Sequence, residues 1–215
     1  MFNCIFKKMK LFPLKKYKNI SNFKKDYLIN LNNILKKINT ETLGKIANLI
    51  LKTINSKKTI FICGNGGSAS LANHMLCDFS KTLRQNTKLK PKIISFVTNL
   101  ELITAISNDI SYDKVFSYQA ESLCSKNDLI IFFSSSGNSK NLINLMKVLK
   151  KKKCKTISFI GFKGGYLKKN CDLSLHFPIE NYGISEDCNH IMMHLILHYL
   201  KQKHLNIKAL KKSIF

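Results

Sequence analysis

The sequence predicts an α/β protein, a three-layer αβα sandwich built on a five-stranded parallel sheet and preceded by N-terminal helices. Three observations lead there. Short apolar runs at 59–63, 92–97, 128–133, 156–160 and 173–177 alternate with segments of helical spacing. The runs are mostly apolar along their length instead of alternating, as in strands covered on both faces. At 215 residues, with no solenoid repeat and no dividing linker, the chain can bury such a sheet in one domain.

Taken in order, residues 1–18 read as a basic, weakly structured N-terminal tail, 19–205 as one domain that includes the leading helices, and 206–215 as a basic C-terminal tail. From 21 to 56 apolar residues recur at helical spacing (Leu28, Leu31, Leu35, then Leu43, Ala47, Ile50, Ile54). Asn39-Thr40 divides the stretch into two helices, with Thr40 as the expected N-cap. After the second strand come a helix over 100–107, a turn at Asn108-Asp109, and a helix over 111–123 carrying Val115, Phe116, Tyr118 and Ala120 toward the core. A helix over 140–151, a turn at Gly164-Gly165, a loop over 178–183 and a last helix over 185–203 complete the pattern.

Composition narrows the class. Hydrophobic residues make up 45% and the mean hydropathy is near zero, and no apolar run is long enough to span a bilayer. The lysine-punctuated start lacks the apolar stretch of a signal peptide, so a cytoplasmic location is expected. The cysteines at 4, 63, 77, 124, 154, 171 and 188 form no CxxC pair and read as reduced thiols. The net charge of +24 raises the question of nucleic acid. Only Arg84 among the 36 basic residues is arginine, and the lysines are spread along the whole chain. A lysine-solvated surface that attracts phosphorylated metabolites fits this better than a nucleic-acid face.

Two strand ends carry the chemistry. Thr59–Cys63 breaks into Gly64-Asn65-Gly66-Gly67, a tight turn, and Ser68 is placed to cap the helix that follows. The strand ending at Phe133 breaks into Ser134-Ser135-Ser136-Gly137-Asn138-Ser139 ahead of another helix. Hydroxyls, turn N–H groups and a helix N-terminus together suit a phosphate monoester. No Gly-Lys-Ser/Thr and no G-x-G-x-x-G is present, which disfavours a nucleotide. In a parallel sheet both turns lie where ligands bind, beyond the carboxyl ends of the strands.

His74 and Asp78 share a helix face at i and i+4, as do Glu186, His190 and His194 on the last helix. Taken alone, that last set reads as an acidic N-terminal turn followed by polar surface histidines, and His198 and His204 read as surface residues.

Across residues 20–203 the chain resembles the sugar isomerase (SIS) domain, in its phosphoheptose isomerase branch. The resemblance rests on Gly64-Asn65-Gly66-Gly67-Ser68 with His74, on Leu102 through Asp109, on Asp113-Lys114-Val115-Phe116-Ser117-Tyr118-Gln119, on the serine turn, and on Glu186-Asp187 with His194. It implies a homotetramer that isomerises sedoheptulose 7-phosphate to glycero-manno-heptose 7-phosphate, the first step toward a bacterial heptose precursor. It implies that Asn65, Gly66, Gly67, Ser68, Asn108, Asp109 and Glu186 line the sugar. Ser134, Ser135, Ser136 and Ser139 would hold the phosphate, and His74, Asp78, Glu186 and His194 one zinc ion. Two positions depart from the family pattern: Asp78 stands where glutamate is usual, and Glu186 where glutamine is usual.

Isomerisation moves one proton between C1 and C2 and another between their oxygens. Asp78 is assigned as the base and His194 as its acid partner, through a cis-enediol. The alternatives are an isomerase of another sugar phosphate and a non-catalytic SIS module, either a sugar-phosphate sensor or an adaptor that binds a replication initiator.

Overall fold

The computed structural model describes residues 10–213 and 215, so expectations about residues 1–9 fall outside it. The chain runs β1 (Lys10–Leu11), α1 (Ile20–Leu35), α2 (Thr40–Asn55), β2 (Thr59–Cys63), α3 (Gly67–Cys77) and a π-helical turn (Asp78–Thr82). Next come β3 (Lys92–Ser95), α4 (Leu100–Asp109), a 3-10 turn (Tyr112–Lys114), α5 (Val115–Leu123), β4 (Leu129–Ser134) and α6 (Lys140–Lys152). The remainder is β5 (Lys155–Ile160), α7 (Gly165–Asn170), β6 (Leu173–His176), β7 (Ile179–Glu180), α8 (Tyr182–His204) and α9 (Ile207–Leu210).

β2 to β6 form the expected five-stranded sheet, parallel throughout, in the order β3-β2-β4-β5-β6. Chain direction across the sheet reverses between β2 and β4, the switch point at which such sheets bind ligands. Although the strands are apolar along their length, their residues divide by parity. Ile60, Ile62, Leu129, Ile131, Phe133, Ile157 and Phe159 face the layer of α2, α3 and α8. Phe61, Cys63, Ile130, Phe132 and Ile160 face the layer of α5 and α6. Burying each such side chain fully contributes about 1.5–3 kcal/mol, which holds the switch point rigid.

Asparagine does most of the helix capping. Asn19, Asn39, Asn99 and Asn181 each accept a hydrogen bond from the backbone N–H three residues on, starting α1, α2, α4 and α8. Asn39 therefore caps α2, not Thr40, which is already helical: Asn39 Oδ1 takes the Thr42 N–H at 2.8 Å.

Other local expectations shift. Tyr118 is half exposed, while its neighbour Gln119 is buried and donates to the Phe96 and Val115 carbonyls at 3.1 and 2.8 Å. The preceding 3-10 turn sets the rotation of α5, which puts position 118 outward. Asn108-Asp109 is the last turn of α4 and not a separate turn. Gly164-Gly165, both at positive φ, start α7. The 178–183 stretch holds β7, which pairs in parallel with β1. Residues 10–12 are thus built into the fold, and Phe12 is buried among the rings of Tyr17, Phe23 and Tyr27. Within 206–215, α9 is capped by Asn206, and Phe215 packs on His198 and under the Lys201 ammonium. Among the described residues no helix is long and apolar enough to cross a membrane.

At the amino ends of the strands, the buried Asp128 ties β4 to β2 by accepting from Thr59 N at 3.0 Å and Ser125 N at 2.8 Å. Asp128→Ala leaves two backbone donors without a partner. We expect a loss of about 2–3 kcal/mol of unfolding free energy in urea titration.

Candidate active site

The two turns meet. Asn65, Gly66, Gly67 and Ser68 from the end of β2, Phe133 to Ser136 and Ser139 from the end of β4, and Tyr182 and Glu186 from α8 line a cavity of about 300 Å³. Gly66, at φ +55, takes the cap position of α3, a conformation open to glycine, and Ser68 is buried within the first turn instead of capping it. Neither α3 nor α6 has a side-chain cap, unlike the asparagine-capped α1, α2, α4 and α8. Both N-termini adjoin this cavity, so their free N–H groups and positive dipole ends are available to an anion.

The serine turn is internally braced. Ser134 Oγ accepts from Gly137 N at 3.0 Å and Ser136 Oγ from Asn138 N at 3.2 Å. Gly137 stands at φ +67 against the Gly164 carbonyl, where a Cβ would collide. Ser135 Oγ is buried with no hydrogen-bond partner and lines the cavity.

Asn65 is fixed by two residues that sequence reasoning missed. Its Oδ1 accepts from Tyr112 Oη and Asn141 Nδ2, each at 2.9 Å, and its Nδ2 donates to Asn141 Oδ1 at 3.0 Å. One N–H of the amide is left for a ligand. Asn108 and Asp109, by contrast, are exposed, bond to each other at 2.9 Å and do not line the cavity.

Glu186 lies over the start of α3, where a Cβ on Gly67 would strike its carboxylate. Burial, reinforced by the adjacent Asp187, raises its pKa above the usual carboxylate range.

Further along α3 and α8 lies a second cluster. His74 Nε2 and His194 Nε2 are 3.0 Å apart, and Asp78 Oδ2 stands 3.4 Å from the first and 3.3 Å from the second. His190 completes the group: its ring centroid is 4.5 Å from those of both other histidines. Ligating nitrogens of His74, His190 and His194 lie within 4.8 Å of one another and can hold a metal ion. His190 Nε2 is buried without a partner, as a nitrogen reserved for a metal would be. Ligands at 2.0–2.1 Å around a tetrahedral zinc stand roughly 3.3 Å apart, close to the spacings seen. Burial pushes the His190 and His194 pKa values down, which favours the neutral form that binds metal.

Of the expected metal set, His74, Asp78 and His194 come together, while Glu186 faces the cavity and His190 occupies the position between it and His194. The i, i+4 spacing of His190 pointed to this face, but its partner on α3 lies more than a hundred residues away in sequence. Asp78 also opens the π-helical turn, a distortion frequent at functional sites.

A family model described as SIS domain matches residues 26–161. The phosphoheptose isomerase of Aliarcobacter butzleri is 36% identical over 80% of this chain and 92% of its own length. That of Helicobacter pylori strain 26695 is 37% identical over 73% of this chain and 81% of its own. The solved structure of phosphoheptose isomerase from Neisseria gonorrhoeae superposes with a TM-score of 0.75 at 25% identity, covering 85% of this chain and 97% of that one.

The serine turn depends on Gly137. Gly137→Ala should cost about 1–3 kcal/mol through its positive φ and its collision with Gly164. Hydrogen exchange should show the lost protection concentrated at 134–139 and 161–166.

Proposed function

The chain belongs to the SIS-domain family, and from that premise we propose that it is an aldose–ketose isomerase converting sedoheptulose 7-phosphate to D-glycero-D-manno-heptose 7-phosphate. That reaction would be the first step toward a bacterial heptose precursor. The observation that carries the reading is the joining of an anion cavity to a carboxylate–imidazole cluster by the same two helices. α3 rises about 1.5 Å per residue, so His74, seven residues past Gly67, lies about 10 Å further along. With the phosphate in the serine turn, C1 and C2 are at the far end of the sugar. A long chain is therefore needed to reach from one cluster to the other.

In this reading Ser134, Ser135, Ser136 and Ser139 hold the phosphate with the N-termini of α3 and α6, and the net charge of +24 draws the substrate in. Asn65, Gly66, Gly67, Ser68 and Glu186 contact the sugar, and Asn108 and Asp109 approach it from the end of α4. Binding energy from the remote phosphate positions the reacting carbons. Asp78 removes the proton from one carbon and returns it to the other through a cis-enediol, while His194 moves the proton between the oxygens. Thr82 donates to Asp78 Oδ1 at 3.5 Å, so the two oxygens of this carboxylate have different surroundings. His74, His190, His194 and Asp78 would hold one zinc ion per subunit, with Glu186 left to the sugar. When bound, zinc supplies a Lewis acid that polarises the carbonyl and stabilises a developing oxyanion.

We also propose a homotetramer in the cytoplasm. An apolar groove between α2 and α8, lined by Leu43, Ala47, Leu195 and Tyr199, supports association of copies. A binding module needs neither the metal-ligand cluster nor its carboxylate, so the enzyme reading is preferred.

In deuterated water the zinc-loaded protein should yield the aldose with deuterium at C2. Asp78→Asn should lose about 10²–10⁴-fold in turnover while still binding the sugar phosphate. Normal turnover in that variant would remove Asp78 from its role, and no isomerisation or exchange by the unaltered chain would remove the enzyme reading. His190→Ala should lower bound zinc, while Glu186→Gln should retain it.

A further inference from the structure

A pair of thiols lies at the end of the sheet opposite the cavity. Cys124 follows the last residue of α5 and Cys154 precedes the first residue of β5. Cys154 Sγ lies 3.3 Å from the carbonyl oxygen of Ser125, the residue next to Cys124. The Lys152 ammonium donates to the Cys124 carbonyl at 2.9 Å, which brings a cation to the same spot. Cys124 is buried, and Cys154 has a small exposed fraction of 9%. The two side chains interact directly, and each is the main influence on the other's proton affinity.

We propose that Cys124 and Cys154 form a reversible intramolecular disulfide when the protein meets a hydroperoxide. The Cys154 thiolate attacks one peroxide oxygen, breaking the O–O bond and giving a sulfenic acid, and the departing hydroxide is protonated to water. The Cys124 sulfur then attacks the Cys154 sulfur. The S–S bond forms, the S–O bond breaks, and the leaving hydroxide takes the Cys124 thiol proton as a second water. The two thiols lose two electrons, and hydrogen peroxide is reduced to two waters.

The assignment of roles follows the surroundings. The hydrogen bond from Cys124, helped by Lys152, holds Cys154 below the usual thiol range against burial and Asp128. That same bond and burial raise Cys124, so its proton stays until the second step. Elsewhere burial makes the thiols unreactive: Cys63 is raised, and Cys171 and Cys188 are pushed up to about 12. Cys77 is exposed and serves as an internal comparison.

The disulfide would close a loop of about 30 residues through β4 and α6, constraining the unfolded chain. Both cysteines precede strands whose opposite ends form the cavity, so the linkage is a staple on the scaffold and leaves the site open.

The test treats the full chain with stoichiometric hydrogen peroxide and maps cysteine peptides by mass spectrometry. The expected product is a Cys124–Cys154 linked peptide, lost on adding dithiothreitol and accompanied by a melting temperature higher by several degrees. In Cys124→Ser, Cys154 should stop at a sulfenic acid trapped by dimedone. Sulfinic acid at Cys154 with Cys124 still a free thiol would overturn the proposal. So would oxidation at Cys77 or Cys4 with the pair still reduced. The result in the unaltered chain decides the matter even if a variant fails to fold.

Discussion

Parallel pairing of β2 and β4 is the constraint on which the rest depends. It places both carboxyl ends on one edge of the sheet and turns the chain in opposite directions there, leaving a crevice between the two connections. Each connection enters a helix at once, so the N-termini of α3 and α6 adjoin that crevice. Helix starts expose unsatisfied N–H groups. This asparagine-rich chain covers them on α1, α2, α4 and α8 with a side chain three residues upstream of each bonded N–H. It does not do so on α3 and α6, where a glycine turn and a serine turn stand instead. A cap worth about 1 kcal/mol is forgone at two sites. A bound anion would satisfy those donors, which ties the missing caps to the cavity between them.

From there the site extends along the helices. α3 packs on α8, and their facing sides carry Gly67 against Glu186 at one level and His74 against His190 and His194 further on. The glycine allows α8 to lie close enough for a carboxylate to rest on the helix start, and the histidines fill the widening gap beyond. Asp78, at the change from α to π winding, closes the cluster from below.

The strands and most helices were legible in the sequence because their signals are local. An apolar run of five or six residues bounded by turn residues suits a buried strand, and helical spacing sustained over ten or more suits a helix. Thr59–Cys63 has the bounds that its pattern suggested. The two ligand turns were legible as breaks at strand ends. What escaped notice depends on distant partners. β7 exists only because Lys10–Leu11 returns beside it, and a two-residue strand has no periodicity of its own. Tyr112 and Asn141 hold Asn65 across 47 and 76 residues. The helical phase at Asn108 and Asp109 could not be read from a turn-like dipeptide. It decides whether those side chains face the cavity, and in the chain as it stands they face solvent.

His190 and Glu186 show how one helix face can hold two chemistries. Along α8, Glu186, His190 and His194 are one turn apart each, and a metal bound to His74 and His194 must lie beside the middle one. An imidazole there gives the ion a nearby neutral ligand. A glutamate reaching it from one turn higher would have to leave its place over Gly67. Two negative groups on one dication are tolerable, but a carboxylate already seated over the start of α3 gains from that helix dipole where it is. The extra charge at 186 and the extra imidazole at 190 are therefore complementary. The histidine completes a site of three nitrogens and one carboxylate, and the glutamate becomes free to face the sugar, in a cavity whose other described lining residues carry no charged side chain.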